Sequence, residues 1–220
     1  MPPVEFPAGG GPTNVGAKQI PPLLGDGHGH YRIHMLGNSG SGKTTTGAAL
    51  AKILDVPLIA IDALALDPGW VILPRSVFHT RLRAALDAAP NGWVVDGKNT
   101  YSGAEMAFAE ATDLIWLDPP LYVYFPRVVL RTFLRLLHLA PPCSPGCYER
   151  PSRVFSRNSI LWACLSIHWR VRRLNAAHMV LFGIENGKST AGRRMRRFTG
   201  WGSDVKAWLG EVAAMVRAKK

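Results

Sequence analysis

Cysteine is scarce in this 220-residue chain, acidic residues are outnumbered, and no long uncharged apolar run occurs. Each shortage excludes something. Three cysteines, Cys143, Cys147 and Cys164, argue against the disulfide framework of a small secreted domain. Cys143 and Cys147 have a C-x3-C spacing, which either contributes to a zinc site with His138 or His168 or is a plain turn with two thiols. Arg127, Arg131 and Arg135 interrupt one apolar stretch and Arg170, Arg172 and Arg173 another. No charge-free span of about eighteen residues is left for a transmembrane helix. A basic start with a continuous apolar stretch, the mark of a secretory signal, is missing as well. A soluble, cytoplasmic protein with no membrane partner is expected.

The 15 acidic residues face 26 Lys and Arg, a net charge of +11. The imbalance lies in residues 121–220, which hold 18 basic and 4 acidic residues, against 8 and 11 in residues 1–120. Such a half needs an anionic partner or extensive solvation. Residues 1–29 are rich in Pro and Gly with little to bury, and are expected to be a disordered tail before a domain spanning 30–220. No internal repeat is visible.

The most informative stretch is Gly37-Asn38-Ser39-Gly40-Ser41-Gly42-Lys43-Thr44, which has the form G-x-x-x-x-G-K-[ST]. Its glycines let the backbone fold around an anion with successive N–H groups turned inward. Lys43 is placed to reach the β- and γ-phosphates, and Thr44 to offer its hydroxyl to magnesium. The flanks agree: Tyr31–Leu36 reads as a buried strand, and Thr45–Leu54 as a helix whose N-terminal dipole favours a negative ligand. Thr45 joins the loop as a phosphate contact. Binding of a nucleoside triphosphate is the expectation.

Beyond the loop, the pattern alternates. Val56–Ile61 reads as a second strand ending at Asp62, followed by a loop through Asp67-Pro68-Gly69-Trp70. Arg75–Ala89 has the apolar spacing of a helix, and Trp93-Val94-Val95 is a short strand delivering Asp96. Asp113–Asp118 is a fourth strand stopped by Pro119-Pro120. A helix is expected beyond Pro126, a loop over 141–153, one long helix carrying Ile160 to Leu181, a fifth strand within Arg193–Phe198, and a last helix, Asp204–Arg217, capped by Ser203. Strands alternating with helices imply a parallel sheet with right-handed crossovers.

Phosphoryl transfer asks a protein for positioning and positive charge. Arg127 and Arg131 lie one turn apart, and Arg153 and Arg157 leave the loop on the opposite arm, so that closure of a lid over about 122–178 would bring them over a triphosphate; the alternative is a solvated helix face. A carboxylate ending the strand beside the loop should hold magnesium through water. Asp96 is preferred to Asp118 because in nucleotide kinases the third strand lies beside the first. Asp62, at the same sheet edge, either orients or deprotonates an acceptor hydroxyl or caps the next turn. Trp70 either stacks on an acceptor ring or packs at the surface.

Together with the loop, Ile61-Asp62-Ala63-Leu64, Asp67-Pro68-Gly69-Trp70, Trp93-Val94-Val95-Asp96-Gly97, Ile115-Trp116-Leu117-Asp118 and Gly146-Cys147-Tyr148-Glu149-Arg150 resemble the adenylate-kinase-related DNA topology modulation group, over residues 30–217. The resemblance implies an α/β P-loop NTPase fold: three layers, a central five-stranded parallel sheet, helices on both faces and a helical lid bearing arginines. It implies ATP and magnesium as cofactors, with loop roles for Gly42, Lys43 and Thr44, a magnesium-side role for Asp96 and lid roles for Arg127 and Arg131. The chain departs from that pattern in Lys98-Asn99 and in the absence of arginine from Ala104 to Ala111, which favours a neutral acceptor. The leading expectation is an ATP-dependent small-molecule kinase. The alternatives are a nucleic-acid-binding protein, supported by Arg193-Arg194 and Arg196-Arg197, and an NTP-hydrolysing switch.

Overall fold

The computed structural model describes residues 20–97, 104–142, 144–156, 159–189 and 192–219. Along the chain, β1 (Tyr31–Gly37) feeds α1 (Lys43–Leu54), which returns to β2 (Leu58–Ala60). Next come α2 (Ile61–Ala65), a small hairpin of β3 (Leu66–Asp67) and β4 (Val71–Ile72), and α3 (Arg75–Asp87). The sheet resumes with β5 (Gly92–Asp96), α4 (Glu105–Glu110) and β6 (Asp113–Leu117). Four helices follow, α5 (Leu121–Leu136), α6 (Pro151–Val154), α7 (Ile160–Ser166) and α8 (His168–Phe182), before β7 (Met195–Phe198) and α9 (Ser203–Ala218).

The main sheet runs β2-β5-β1-β6-β7, and every neighbouring pair is parallel. Alternate residues of β1 feed opposite layers, as the strand's two-residue period requires. Ile33 and Met35 pack with Leu50 of α1 and Trp208 and Val212 of α9. On the other face, Leu36 packs with Leu82, Leu86, Trp93 and Trp116. A parallel sheet covered on both sides needs strands apolar throughout, and β1, β5 and β6 are buried nearly end to end. This is an α/β fold with a central five-stranded parallel sheet and helices on both faces.

Several expected boundaries shift, each for a local reason. The second strand ends at Ala60, and Ile61 opens α2 instead of closing a strand. Ile61 packs so close to Gly97 that a Cβ there would lie 2.4 Å from the Ile61 Cβ. Asp62 therefore sits on the first turn of a helix, not at a strand end. The expected loop after it contains the β3–β4 hairpin.

The helix expected beyond Pro126 starts at Leu121, with Pro120 at its N-cap, so that Pro126 lies inside it and withholds the amide that would donate to Tyr122. The single long helix over 160–181 is two, broken at Ile167, and the break lets His168 turn inward to Tyr124. The last helix begins at Ser203 behind Gly202, which has φ 115°; the Asp204 carboxylate, not the Ser203 hydroxyl, accepts from the Gly200 and Val205 amides. Within the segment expected as the tail, residues 22–25 pack on the domain: Leu23 is buried, the Leu24 and Gly25 amides donate to the Asp113 carboxylate, and the Pro22 carbonyl accepts from the Trp208 indole.

Candidate nucleotide site at the carboxyl edge of the sheet

Gly37 ends β1, and the loop from Asn38 to Gly42 turns the chain into α1. The turn depends on glycine at defined points. Gly40 has φ 78°, and a Cβ there would lie 2.4 Å from Val128 Cγ2 and 2.9 Å from the Tyr124 carbonyl. Within the loop, the Ser39 amide donates to Asn38 Oδ1 and the Ser41 amide to the Asn38 carbonyl. The amides of Gly40, Gly42, Lys43, Thr44 and Thr45 have no hydrogen-bond acceptor among the described residues. Five orphan donors at a helix N-terminus are able to receive an anion.

Lys43 is buried, and its Nζ donates to the Asn38 carbonyl at 2.8 Å. Burial holds its ammonium below the usual lysine range; Asp96 and then Asp62 pull the other way, while Arg131 adds to the depression. Thr44 Oγ1 donates to Asp96 Oδ2 at 2.5 Å, joining α1 to the end of β5. That side-by-side hydroxyl and carboxylate is a hard oxygen donor pair of the kind that suits magnesium. Asp62 is exposed two residues beyond Ala60, which pairs with Asp96 across the sheet. Arg131 is half-buried on α5, and Arg127, one turn earlier, is exposed.

Asp118, the alternative carboxylate, is committed elsewhere. It accepts from Arg172 Nε and Arg197 Nε, each at 3.1 Å, and from Arg197 Nη2.

The β3–β4 hairpin and the loop over 141–153 are interlocked. The Gly69 amide donates to the Gly146 carbonyl, and the Trp70 indole to the Tyr148 carbonyl at 3.0 Å. Gly146 (φ 74°) packs on Pro68 so closely that a Cβ there would lie 2.7 Å from the Pro68 Cβ. Arg153 lies over the Trp70 ring at 4.1 Å, so one face of the indole carries a guanidinium and not an acceptor ring, and Arg153 is held here instead of over the phosphate loop. Glu149, buried, faces Arg131, Arg135 and Arg153, yet burial outweighs them and pushes its carboxyl up. Arg157, Cys143 and Lys98-Asn99 lie outside the described residues; Cys147 is buried with its Sγ 3.5 Å from the Asp67 carbonyl. Among the described residues, no group of three His, Cys, Asp or Glu side chains could hold a metal.

Sequence reasoning missed the support behind the loop. Asn38 Nδ2 donates to Tyr124 OH at 3.0 Å and to the Cys164 carbonyl at 3.1 Å, and Tyr124 OH meets His168 Nδ1 at 2.5 Å. Burial, and then Arg172, holds His168 below the usual histidine range, and the direction of its hydrogen bond with the tyrosine hydroxyl is set by the ring's tautomer. No sequence motif announces such a contact between residues 44 positions apart. The basic run near the end is also engaged internally. Arg194 donates to the carbonyls of Phe108, Ala109 and Ala111, Arg193 to Gly187, Arg196 to Pro21 and Arg197 to Asp118. The run therefore does not form a free nucleic-acid-binding strip.

No protein-family model matches the chain, and neither does any curated protein sequence. Similar solved structures include shikimate kinase from Bacteroides thetaiotaomicron, 17% identical over 86% of this chain and 97% of that one, with a TM-score of 0.45. A gluconokinase from Sinorhizobium meliloti 1021 is 17% identical over 86% and 97%, with a TM-score of 0.42. Shikimate kinase from Acinetobacter baumannii in complex with shikimate is 15% identical over 87% and 95%, with a TM-score of 0.47. Likeness at this level says nothing of activity, and the fold rests on the strand order and registers themselves. None of these neighbours belongs by its description to the DNA topology modulation group, so that likeness remains one of sequence motifs. No helix among the described residues is long and apolar enough to cross a membrane.

Proposed function

We propose that this chain binds ATP with magnesium and transfers the γ-phosphoryl group to a hydroxyl of a small neutral acceptor, such as a nucleoside or polyol. The observation that carries the reading is the cradle: five amides without acceptors, closed by Lys43 and bordered by the Thr44–Asp96 pair. Amides aimed at phosphate oxygens supply fixed partial charges that need no reorganisation during transfer. Lys43 would leave the Asn38 carbonyl for the β- and γ-phosphates, where a charge-assisted contact is worth more than the neutral one it replaces. Thr44 and Asp96 would hold magnesium, which would neutralise charge on the triphosphate. Arg131 faces Lys43 from the lid and supplies further positive charge; Arg127 would approach only as the lid moves.

Asp62 gives the acceptor side its chemistry. Its exposed carboxylate, near enough to Lys43 to influence that ammonium, could accept a hydrogen bond from an attacking hydroxyl and then its proton. Neutral acceptors are favoured because Ala104, Ala107 and Ala111 are packed into the core and residues 104–111 contain no arginine to grip an anion.

The test is an acceptor screen with purified protein, Mg-ATP and pooled nucleosides, polyols, sugars, nucleotides and acids. A phosphorylated neutral product supports the reading. Hydrolysis of ATP that no acceptor stimulates replaces it with a nucleotide-hydrolysing switch.

A further inference from the structure

A cavity of about 380 Å³ lies where α5 ends and the chain turns back, and its walls include Arg135, His138, Pro141, Pro142, Tyr148 and Glu149. That is the size of a small-molecule site. His138, at φ 56°, reverses the chain after the helix, and Pro141-Pro142 stiffens the return. Arg135 Nε donates to the Pro141 carbonyl at 2.9 Å, and the Tyr148 carbonyl accepts from the Trp70 indole of the β3–β4 hairpin. The walls are therefore tied in place before any ligand arrives.

One group in these walls lacks what a buried charge needs. Glu149 is only 8% exposed, yet its carboxyl accepts no hydrogen bond and forms no ion pair among the described residues. Burial pushes that carboxyl up, and the guanidiniums of Arg135, Arg153 and Arg131, which pull it down in that order, stand beyond ion-pair distance. A carboxylate shielded from water and left without a partner is costly, and a ligand that brings donors relieves the cost. Arg135 spends its Nε on Pro141, and its Nη groups are uncommitted among the described residues.

The occupant must therefore donate to Glu149 and accept from Arg135. A hydroxyl does both. An ammonium would meet the charges of three arginines, and a carboxylate or phosphate would meet the unpaired Glu149. A planar base would need a flat slot, whereas the His138 and Tyr148 rings stand 5.8 Å apart at 51°, already against each other. Adjacent hydroxyls on a short carbon chain or ring satisfy the walls without a net charge.

We propose that this cavity binds a neutral sugar or polyol, with neighbouring hydroxyls bridging the Glu149 carboxylate and the Arg135 guanidinium. The inference does not rest on the phosphotransfer reading, because none of the lining residues belongs to the phosphate loop and the binding needs no nucleotide.

The experiment is a ligand-observed NMR titration of the full chain, without nucleotide, using glucose, ribose, myo-inositol and sorbitol as probes and ethanol, alanine, acetate and methylammonium as comparisons. Saturable binding of at least one polyhydroxyl probe, and of none of the comparisons, is the expected result. Glu149→Gln keeps the shape of the side chain and should weaken that binding by roughly tenfold to a hundredfold, the range of one hydrogen bond to a charged group. Arg135→Gln should weaken it to a similar extent and gives a second reading from a different element. Thermal melts of both variants report whether they fold. The inference is overturned if no polyhydroxyl probe binds, or if both variants, folded, bind as tightly as the parent. Binding of a charged comparison that depends on Glu149, with no binding of the polyhydroxyl probes, overturns it equally.

Discussion

The Thr44 hydroxyl donates to the Asp96 carboxylate across 2.5 Å, which ties the first turn of α1 to the carboxyl end of the neighbouring strand β5. Both groups lie beside Lys43, whose ammonium feels the Asp96 charge more than any other. Two elements, α1 and β5, thereby converge on the point where a γ-phosphate would lie. Asp96→Asn keeps the shape and removes the charge. Turnover with Mg-ATP should fall by roughly tenfold to a hundredfold, the range of one charge-assisted contact, and the magnesium concentration for half-maximal rate should rise. Initial rates against magnesium measure both; an unaltered magnesium requirement would remove Asp96 from that role.

Gly40 and Gly42 both have positive φ, 78° and 98°, but their surroundings differ. A Cβ at Gly40 would press on Val128 and the Tyr124 carbonyl, whereas one at Gly42 would meet only Leu117 Cδ1, at 3.9 Å. Both alanine variants incur the backbone cost of about 1–3 kcal/mol, and Gly40→Ala adds a collision with α5. Thermal melts should therefore show Gly40→Ala as the less stable of the two. Equal melting temperatures would mean that the loop and α5 are not in contact in solution.

His34 is fully buried in β1, beside Phe108, with neither ring nitrogen hydrogen-bonded, and burial pushes its pKa down to about 4 despite the nearby Gly97 backbone. The folded state resists protonation there while the unfolded chain accepts it near 6.5, so between those values the unfolded state binds more protons. Stability should hold above pH 6.5 and decline by ~3 kcal/mol as pH falls to 4. His168 and His178 are also held down by burial and slope the same way. His34→Leu should flatten the profile in that window without abolishing the slope. Urea melts at a series of pH values test this, and a parallel profile in the variant would assign the acid sensitivity to other groups.

The loop motif and the places of the strands were legible because each depends on short-range signals: glycines before Lys43-Thr44, apolar runs ending in Asp96 and Asp118, prolines at 119 and 120. Pro126 misled because a proline suits a first turn as readily as it is tolerated further in, and only Pro120 at the N-cap settles where the helix begins. The break at Ile167 could not be read from periodicity, since the apolar spacing from Ile160 to Leu181 continues through it; it follows from the inward turn of His168 toward Tyr124. Likewise, the arginines at 193–197 look like a basic strip in one dimension. Their partners, Asp118 and the carbonyls of residues 108–111, lie about 80 positions away in sequence.

The most direct test of the account is titration calorimetry of the purified chain with Mg-ATP, beside the same titration of Lys43→Ala. The predicted result is saturable heat for the parent and binding roughly tenfold to a hundredfold weaker for the variant, as expected for one charge-assisted phosphate contact. No heat from the parent with either adenine or guanine triphosphate, or equal affinity in the two proteins, would contradict it.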